Sequence, residues 1–156
     1  MNSKFRLATF AIAIGAVTVF LANQKPTLVD AVEEKAGPRV VEKSMHEFME
    51  YVFQPTYRRL KVSMATQPAD NKSWKAIKSD ALILTESCNL LFARTPEKSG
   101  ADWNNHSVAS REDGAKLYAA ARKKDFATAM TAYKSMLKNC NACHRQFENG
   151  KHILVP

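Results

Sequence analysis

Residues 140–144 read Cys-Asn-Ala-Cys-His, which gathers two thiols and an imidazole into five residues. C-x-x-C-H is the attachment signature of haem c. The chemistry explains the spacing. Two thiols add to the two vinyl groups of one porphyrin, and the adjacent imidazole reaches the iron from one face. A segment that is helical across 140–144 presents all three groups to one macrocycle. Other chemistries use similar residues and fit less well. A thioredoxin-like C-x-x-C opens a helix inside a βαβ unit, whereas this motif lies late in a chain patterned for helices. Zinc takes four ligands, usually with a second Cys/His pair at short spacing, and Cys88 with another histidine joins only through folding. A plain Cys140–Cys143 disulfide leaves His144 without a role. The expected cofactor is therefore one covalent haem c, with Cys140 and Cys143 as anchors and His144 as the proximal iron ligand.

Four helical segments are available to position this motif. The first is expected over 39–65, because Val41, Met45, Phe48 and Val52 recur on one helical face, widened by Met49 and Phe53. Pro55 lies inside it and costs a backbone hydrogen bond, so a kink or break is expected there. Ser73 is the expected N-cap of a second helix over 74–94, with Trp74, Ile77, Ala81, Leu84, Cys88 and Leu91 on one face. Residues 95–109, with Pro96, Gly100 and two consecutive Asn, read as a loop whose Trp103 folds back onto the bundle. Ser110 and Asp113 resemble a capping box for a third and shortest helix ending near Lys123. Asp125 caps a fourth over 126–148, along which Phe126, Met130, Tyr133, Leu137, Cys140 and His144 share one side, and Asn149-Gly150 stops it. The expected fold is all-α, an antiparallel four-helix bundle over 39–150 with a tail at 151–156, carrying covalent haem c on the C-terminal helix.

That topology indicates what faces the iron opposite His144. In an up-down-up-down bundle the end of the last helix lies beside the start of the first, so Met45, His46 and Met49 fall near the level of His144. Met45 and Met49 sit on the apolar stripe, where methionine commonly fills core space but where a thioether also serves as a haem ligand. His46 lies on the flank between Glu42 and Glu50, where a solvated side chain is the plainer reading and ligation the alternative. Cys88 reads as a buried free thiol, and His106 and His152 as solvent-exposed groups of a loop and the tail. Arg145 points either to a haem propionate or to water. Trp74, Phe92 and Tyr133 read as bundle core.

The rest of the chain narrows the setting. Its 156 residues suit one domain. Hydrophobic residues make up 46%, and only 5 are glycine, which favours packed helices over disorder or a turn-rich sandwich. Lys4 and Arg6 precede a 15-residue uncharged run from Leu7 to Leu21. This is the pattern of a secretory signal over 1–22, shorter than the roughly 20 apolar residues of a membrane span. Phe20 is bulky for the position two before Ala22, the last residue that cleavage would remove, so an uncleaved anchor is the alternative, and the membrane is a partner only in that case. Residues 23–38 read as a linker. The domain is expected in the periplasm or another extracytoplasmic space. The formal charge of +8 falls to +6 once Lys4 and Arg6 are removed, a surplus that reads mainly as solvated surface. Aromatic residues occupy apolar helical positions and are not interleaved with basic clusters, which argues against nucleic acid.

The C-terminal CNACHRQF on the last of four helices resembles the class II c-type cytochromes, the cytochrome c prime group, over roughly residues 39–148. The resemblance implies haem packed within the bundle, with Phe147 as the aromatic often found three residues after the haem histidine, and it makes a homodimer a frequent arrangement. The expected function is electron transfer, not enzymatic catalysis. One electron at a time would pass between larger redox partner proteins. Its rival is a five-coordinate protein that binds nitric oxide or another small gas. A structural bundle with an incidental disulfide is the third reading.

Overall fold

The computed structural model describes residues 39–156; the signal or anchor expected at 1–22 and the linker at 23–38 lie outside the described residues. Among the described residues every regular element is helical, and the long elements number four.

The first, α1 (45–64), has three stretches: α-helix over Met45–Phe48, a π-helical turn over Met49–Phe53, and α-helix over Gln54–Met64. Its start differs from the expected one. Ser44 is the N-cap, its hydroxyl accepting from the Glu47 N–H at 3.2 Å, and 39–44 stay outside the helix. Val41, expected on the inward stripe, is 98% exposed in consequence. The break expected at Pro55 is replaced by the π turn. Proline lacks an N–H and its ring crowds the carbonyl four residues back. The wider turn, in which the Gln54 N–H reaches the Met49 carbonyl, brings Pro55 into the first turn of the next α-helical stretch.

Helix α2 spans Asn71–Asn89 and is capped by Asp70, not Ser73. The Asp70 carboxylate accepts from both the Ser73 N–H (2.7 Å) and its hydroxyl (2.8 Å), and its charge suits the positive helix start. A short 3-10 turn follows at Phe92–Arg94.

Helix α3, Gly100–Lys123, is the largest departure from expectation. At 24 residues it is the longest element, and it absorbs most of the expected loop. Ser110 and Asp113 are not a cap but two buried mid-helix residues. The inward face runs Trp103, Ser107, Ser110, Gly114, Leu117 and Ala121, all buried at spacings of three and four. Half of that face is Ser or Gly, so a purely apolar template does not register it. Ser107 satisfies its hydroxyl by donating to the Trp103 carbonyl at 2.8 Å.

Helix α4, Phe126–Phe147, starts as expected from Asp125, whose carboxylate accepts from the Thr128 N–H (3.0 Å) and hydroxyl (2.6 Å). It stops at Asn149-Gly150. Gly150 adopts φ of +73° and its N–H returns to the His144 carbonyl at 3.0 Å, a closure that suits a residue without Cβ.

Close backbone contacts run α1 on α2, α2 on α3 and α3 on α4. The main core lies where Leu60, Met64, Ile77, Leu117 and Tyr133 are almost wholly buried, with Trp74 and Leu137 beside them. Fully burying each such aliphatic side chain contributes about 2 kcal/mol. Polar ties fix the helices in register. Arg59 on α1 donates through Nε and Nη2 to Asp80 on α2, at 3.1 and 2.7 Å. Asp113 on α3 accepts from Lys116 Nζ (2.8 Å), from the Ser135 hydroxyl and from Asn139 Nδ2 (2.9 Å) on α4. Gly114 allows α3 close to α2, since a Cβ there would overlap the Thr85 hydroxyl. A second, smaller cluster, Phe48, Cys88, Leu91 and Trp103, borders the candidate site.

Candidate functional site

Cys140, Cys143 and His144 occupy the last two turns of α4, where spacings of three and four keep them on one side. That side lines a cavity of about 360 Å³, within the range of small-molecule and cofactor sites. Met45, His46 and Met49 of α1 line the same cavity, as do Cys88 of α2 and Trp103, His106, Ser107 and Ser110 of α3. The motif and every residue considered for the opposite ligand therefore border one space.

His144 is oriented by a hydrogen bond. Its Nδ1 donates to the His152 carbonyl at 2.9 Å. A carbonyl can only accept, so the proton sits on Nδ1 and Nε2 keeps its lone pair. Burial holds the imidazole below its ordinary pKa, which keeps it neutral at pH 7. A neutral ring with one nitrogen pinned and the other free is the state in which histidine ligates a metal.

The cysteines are free thiols. Burial pushes Cys140 up to about 11, against an opposing contact with the Ser110 hydroxyl. Burial likewise pushes Cys143 up to about 11. Redox dithiols rely on a lowered pKa, which this environment does not provide. Cys88 is a buried thiol, as expected, and burial with the nearby Cys140 sulfur raises it to about 12.

Met45 and Met49 are half-buried and pack against the Phe48–Leu91–Trp103 cluster. The His46 ring is 72% exposed and pairs with Glu50 at 3.1 Å. His46, Glu47 and Glu50 form the one set among the described residues whose donor atoms lie close enough to hold a small ion, but their exposure and mutual pairing are those of an ordinary charged helix face.

Phe147 packs edge-on against Trp103, with ring centres 5.1 Å apart, and beside His106 at 6.4 Å. Trp103 is buried as expected, and its indole N–H donates to the Leu91 carbonyl at 2.9 Å. His106 corrects the sequence expectation. It stands half-buried on α3, its Nε2 2.9 Å from Gln146 Oε1. Gln146 in turn donates to Asp102 at 2.8 Å, which ties α3 to the motif end of α4. Ser107 and Ser110 were missed because they fall in a stretch that reads as loop and cap. The His152 side chain is exposed, as is Arg145. Trp74 and Tyr133 belong to the main core, while Phe92 is half-buried beneath Arg111.

A haem c fits this donor set. Two neutral thiols three residues apart, a neutral imidazole with its distal nitrogen free, and two thioethers border one largely apolar cavity. No helix of the described residues is long and apolar enough to cross a membrane. Neither the family models nor the curated proteins give a match to this chain, so any functional reading rests on the cavity and its motif.

Proposed function

We propose that the chain is an extracytoplasmic electron carrier with one covalent haem c, held in an antiparallel four-helix bundle of the class II c-type cytochrome kind. The observation that carries this reading is the convergence of Cys140, Cys143 and His144 with Met45 and Met49 on a single apolar cavity. Cys140 and Cys143 would anchor the group and His144 would ligate its iron. When bound, haem c supplies a one-electron couple. The residues around it do the rest. Cys88, Leu91 and Trp103, backed by Phe48, would exclude water from one wall. Phe147 is held by Trp103 and His106 at the motif end. The hydrogen bond on Nδ1 keeps His144 facing one way. Of the distal candidates, Met49 and Met45 have the better support, since His46 is exposed and already paired. A thioether there favours the reduced state relative to a second imidazole. The partners would be larger redox proteins, docking without a change of ligand set.

Optical and paramagnetic spectra of the purified ferric and ferrous protein, with and without carbon monoxide, test the reading. A low-spin spectrum indifferent to carbon monoxide is the expected result. A high-spin ferrous form that binds carbon monoxide readily would move the assignment to a gas-binding protein with an open distal face. Absence of covalent haem after expression with a haem-attachment system would sink both.

A further inference from the structure

The segment 151–156 folds back over the cavity and is fastened at three points. Asn141, the second residue of the C-x-x-C-H motif, is buried and uses both ends of its amide on one residue. Its Nδ2 donates to the Leu154 carbonyl at 2.8 Å, and its Oδ1 accepts from the Leu154 N–H at 2.7 Å. Tyr57 of α1 does the same for the next residue: its hydroxyl donates to the Val155 carbonyl at 2.7 Å and accepts from the Val155 N–H at 3.1 Å. The third point is the His152 carbonyl on His144 Nδ1. Leu154 packs against the main core, and His152, Ile153 and Leu154 complete the cavity wall.

We infer that Asn141 and Tyr57 are positioning residues, which clamp residues 154 and 155 so that the His152 carbonyl is held on the ring of His144. The geometry motivates this in two ways. His152 has φ of +56°, a left-handed backbone that a non-glycine residue adopts at some cost and keeps when its surroundings fix it. Two reciprocal hydrogen-bond pairs, one from the Asn141 amide and one from the Tyr57 hydroxyl, both ending on backbone within three residues of His152, supply that fixing. Asn141 also ties the strap to the same helix turn that bears the anchors and the ligand, so ring orientation and strap docking are linked through one short piece of α4. A carbonyl accepting from Nδ1 makes the imidazole a stronger donor to metal and favours the more positive oxidation state. The strap would thus set the electron affinity of the site without touching the iron.

The inference rests on the proposed haem, and the experiment separates the two. In the haem-loaded protein, Asn141→Ala should speed solvent exchange of the Leu154 amide and of the His144 ring N–H, both read by nuclear magnetic resonance. It should also weaken the preference for ferric over ferrous iron, on the order of tenfold, because the loosened Nδ1 hydrogen bond makes the ring a weaker donor to the metal. That is an upward shift of about 59 mV for one electron. Greater solvent access to the site alone would favour the charged ferric form and shift the potential downward. Tyr57→Phe should move the same readings in the same direction by less. If Asn141→Ala impairs folding, deletion of residues 152–156 removes the carbonyl outright and should give the fast ring N–H exchange. Fast Leu154 exchange with an unchanged ring proton and potential overturns the positioning role. Unchanged Leu154 exchange overturns the clamp. A wild-type protein whose mass shows no haem overturns the proposed function, and this inference with it.

Discussion

The two apolar clusters of this molecule are built from similar residues and packed to different ends. The main core is solid at its centre, where Leu60, Ile77 and Leu117 have no exposed surface and Tyr133 and Met64 almost none, and only its edge at Leu84, Met136 and Leu137 reaches the cavity. In the second cluster Phe48 is buried behind Cys88, Leu91 and Trp103, which open onto the cavity, with Met45, Met49, Cys143 and Phe147 half-covered around them. The contrast separates the work of stability from the work of chemistry. A filled core answers to volume. A lined cavity answers to the donor atoms on its wall, and its residues are free to be sulfur-rich and adaptable.

Substitutions at the two ends should therefore give different phenotypes. The largest effect belongs to the cavity: Cys140→Ser with Cys143→Ser should abolish covalent haem, read as loss of haem staining under denaturing conditions, while helical circular dichroism remains. Retained covalent haem would refute the anchor assignment. Next, Met49→Ala or Met45→Ala, whichever supplies the thioether, should convert a low-spin spectrum to high-spin. If neither does so, neither methionine is the ligand. In the solid core, Leu60→Ala should cost about 2–5 kcal/mol of unfolding free energy and leave the spectrum of the folded protein unchanged. A spectral change there would mean the two regions are not separable.

The smallest effect concerns Asp113, which joins α3 to α4. Burial alone would raise its carboxyl, but the hydrogen bonds from Lys116, Ser135 and Asn139, with the Lys116 charge, outweigh that and hold it low. A carboxyl lowered on folding stabilises the protein above its unfolded pKa, and that contribution disappears as pH falls through the lowered value. Asp113→Asn should flatten the acid side of the stability profile in denaturant titrations, by less than the loss at Leu60. An unaltered acid slope would show that the pairing contributes nothing measurable.

Much of this arrangement is legible in the chain because the relevant signals are local. The C-x-x-C-H spacing needs only a helix to put its groups on one side. Asp125 and Asn149-Gly150 bound α4 by cap chemistry, and the Trp74–Ile77–Ala81–Leu84 stripe announces α2 by period. The start of α3 is illegible for a physical reason. Its inward face uses Ser107, Ser110 and Gly114 to let helices approach and to border the cavity, and those same residue types signal turns and caps when read without neighbours. His106 was misread with it. The error at Ser73 is of a subtler kind: its hydroxyl belongs to the cap only as a donor to Asp70, which holds the cap position itself. The clasp of Asn141 on Leu154 could not be read at all, because it depends on how residues 151–156 return over the cavity.

One feature of α1 bears on how such a helix is inherited. A π-helical turn is what an α-helix becomes when it takes up a single additional residue without being broken. The turn at Met49–Phe53 lets Met45, in the stretch before it, and its own first residue Met49 line the cavity while the stretch after it buries Leu60 and Met64 in the core. Its peptide bonds thus serve as a phase adjuster between two facing requirements. Changes in length on one side of that turn need not disturb what the other side buries. The cavity lining and the packed interior are joined by a continuous backbone, yet they remain open to separate revision.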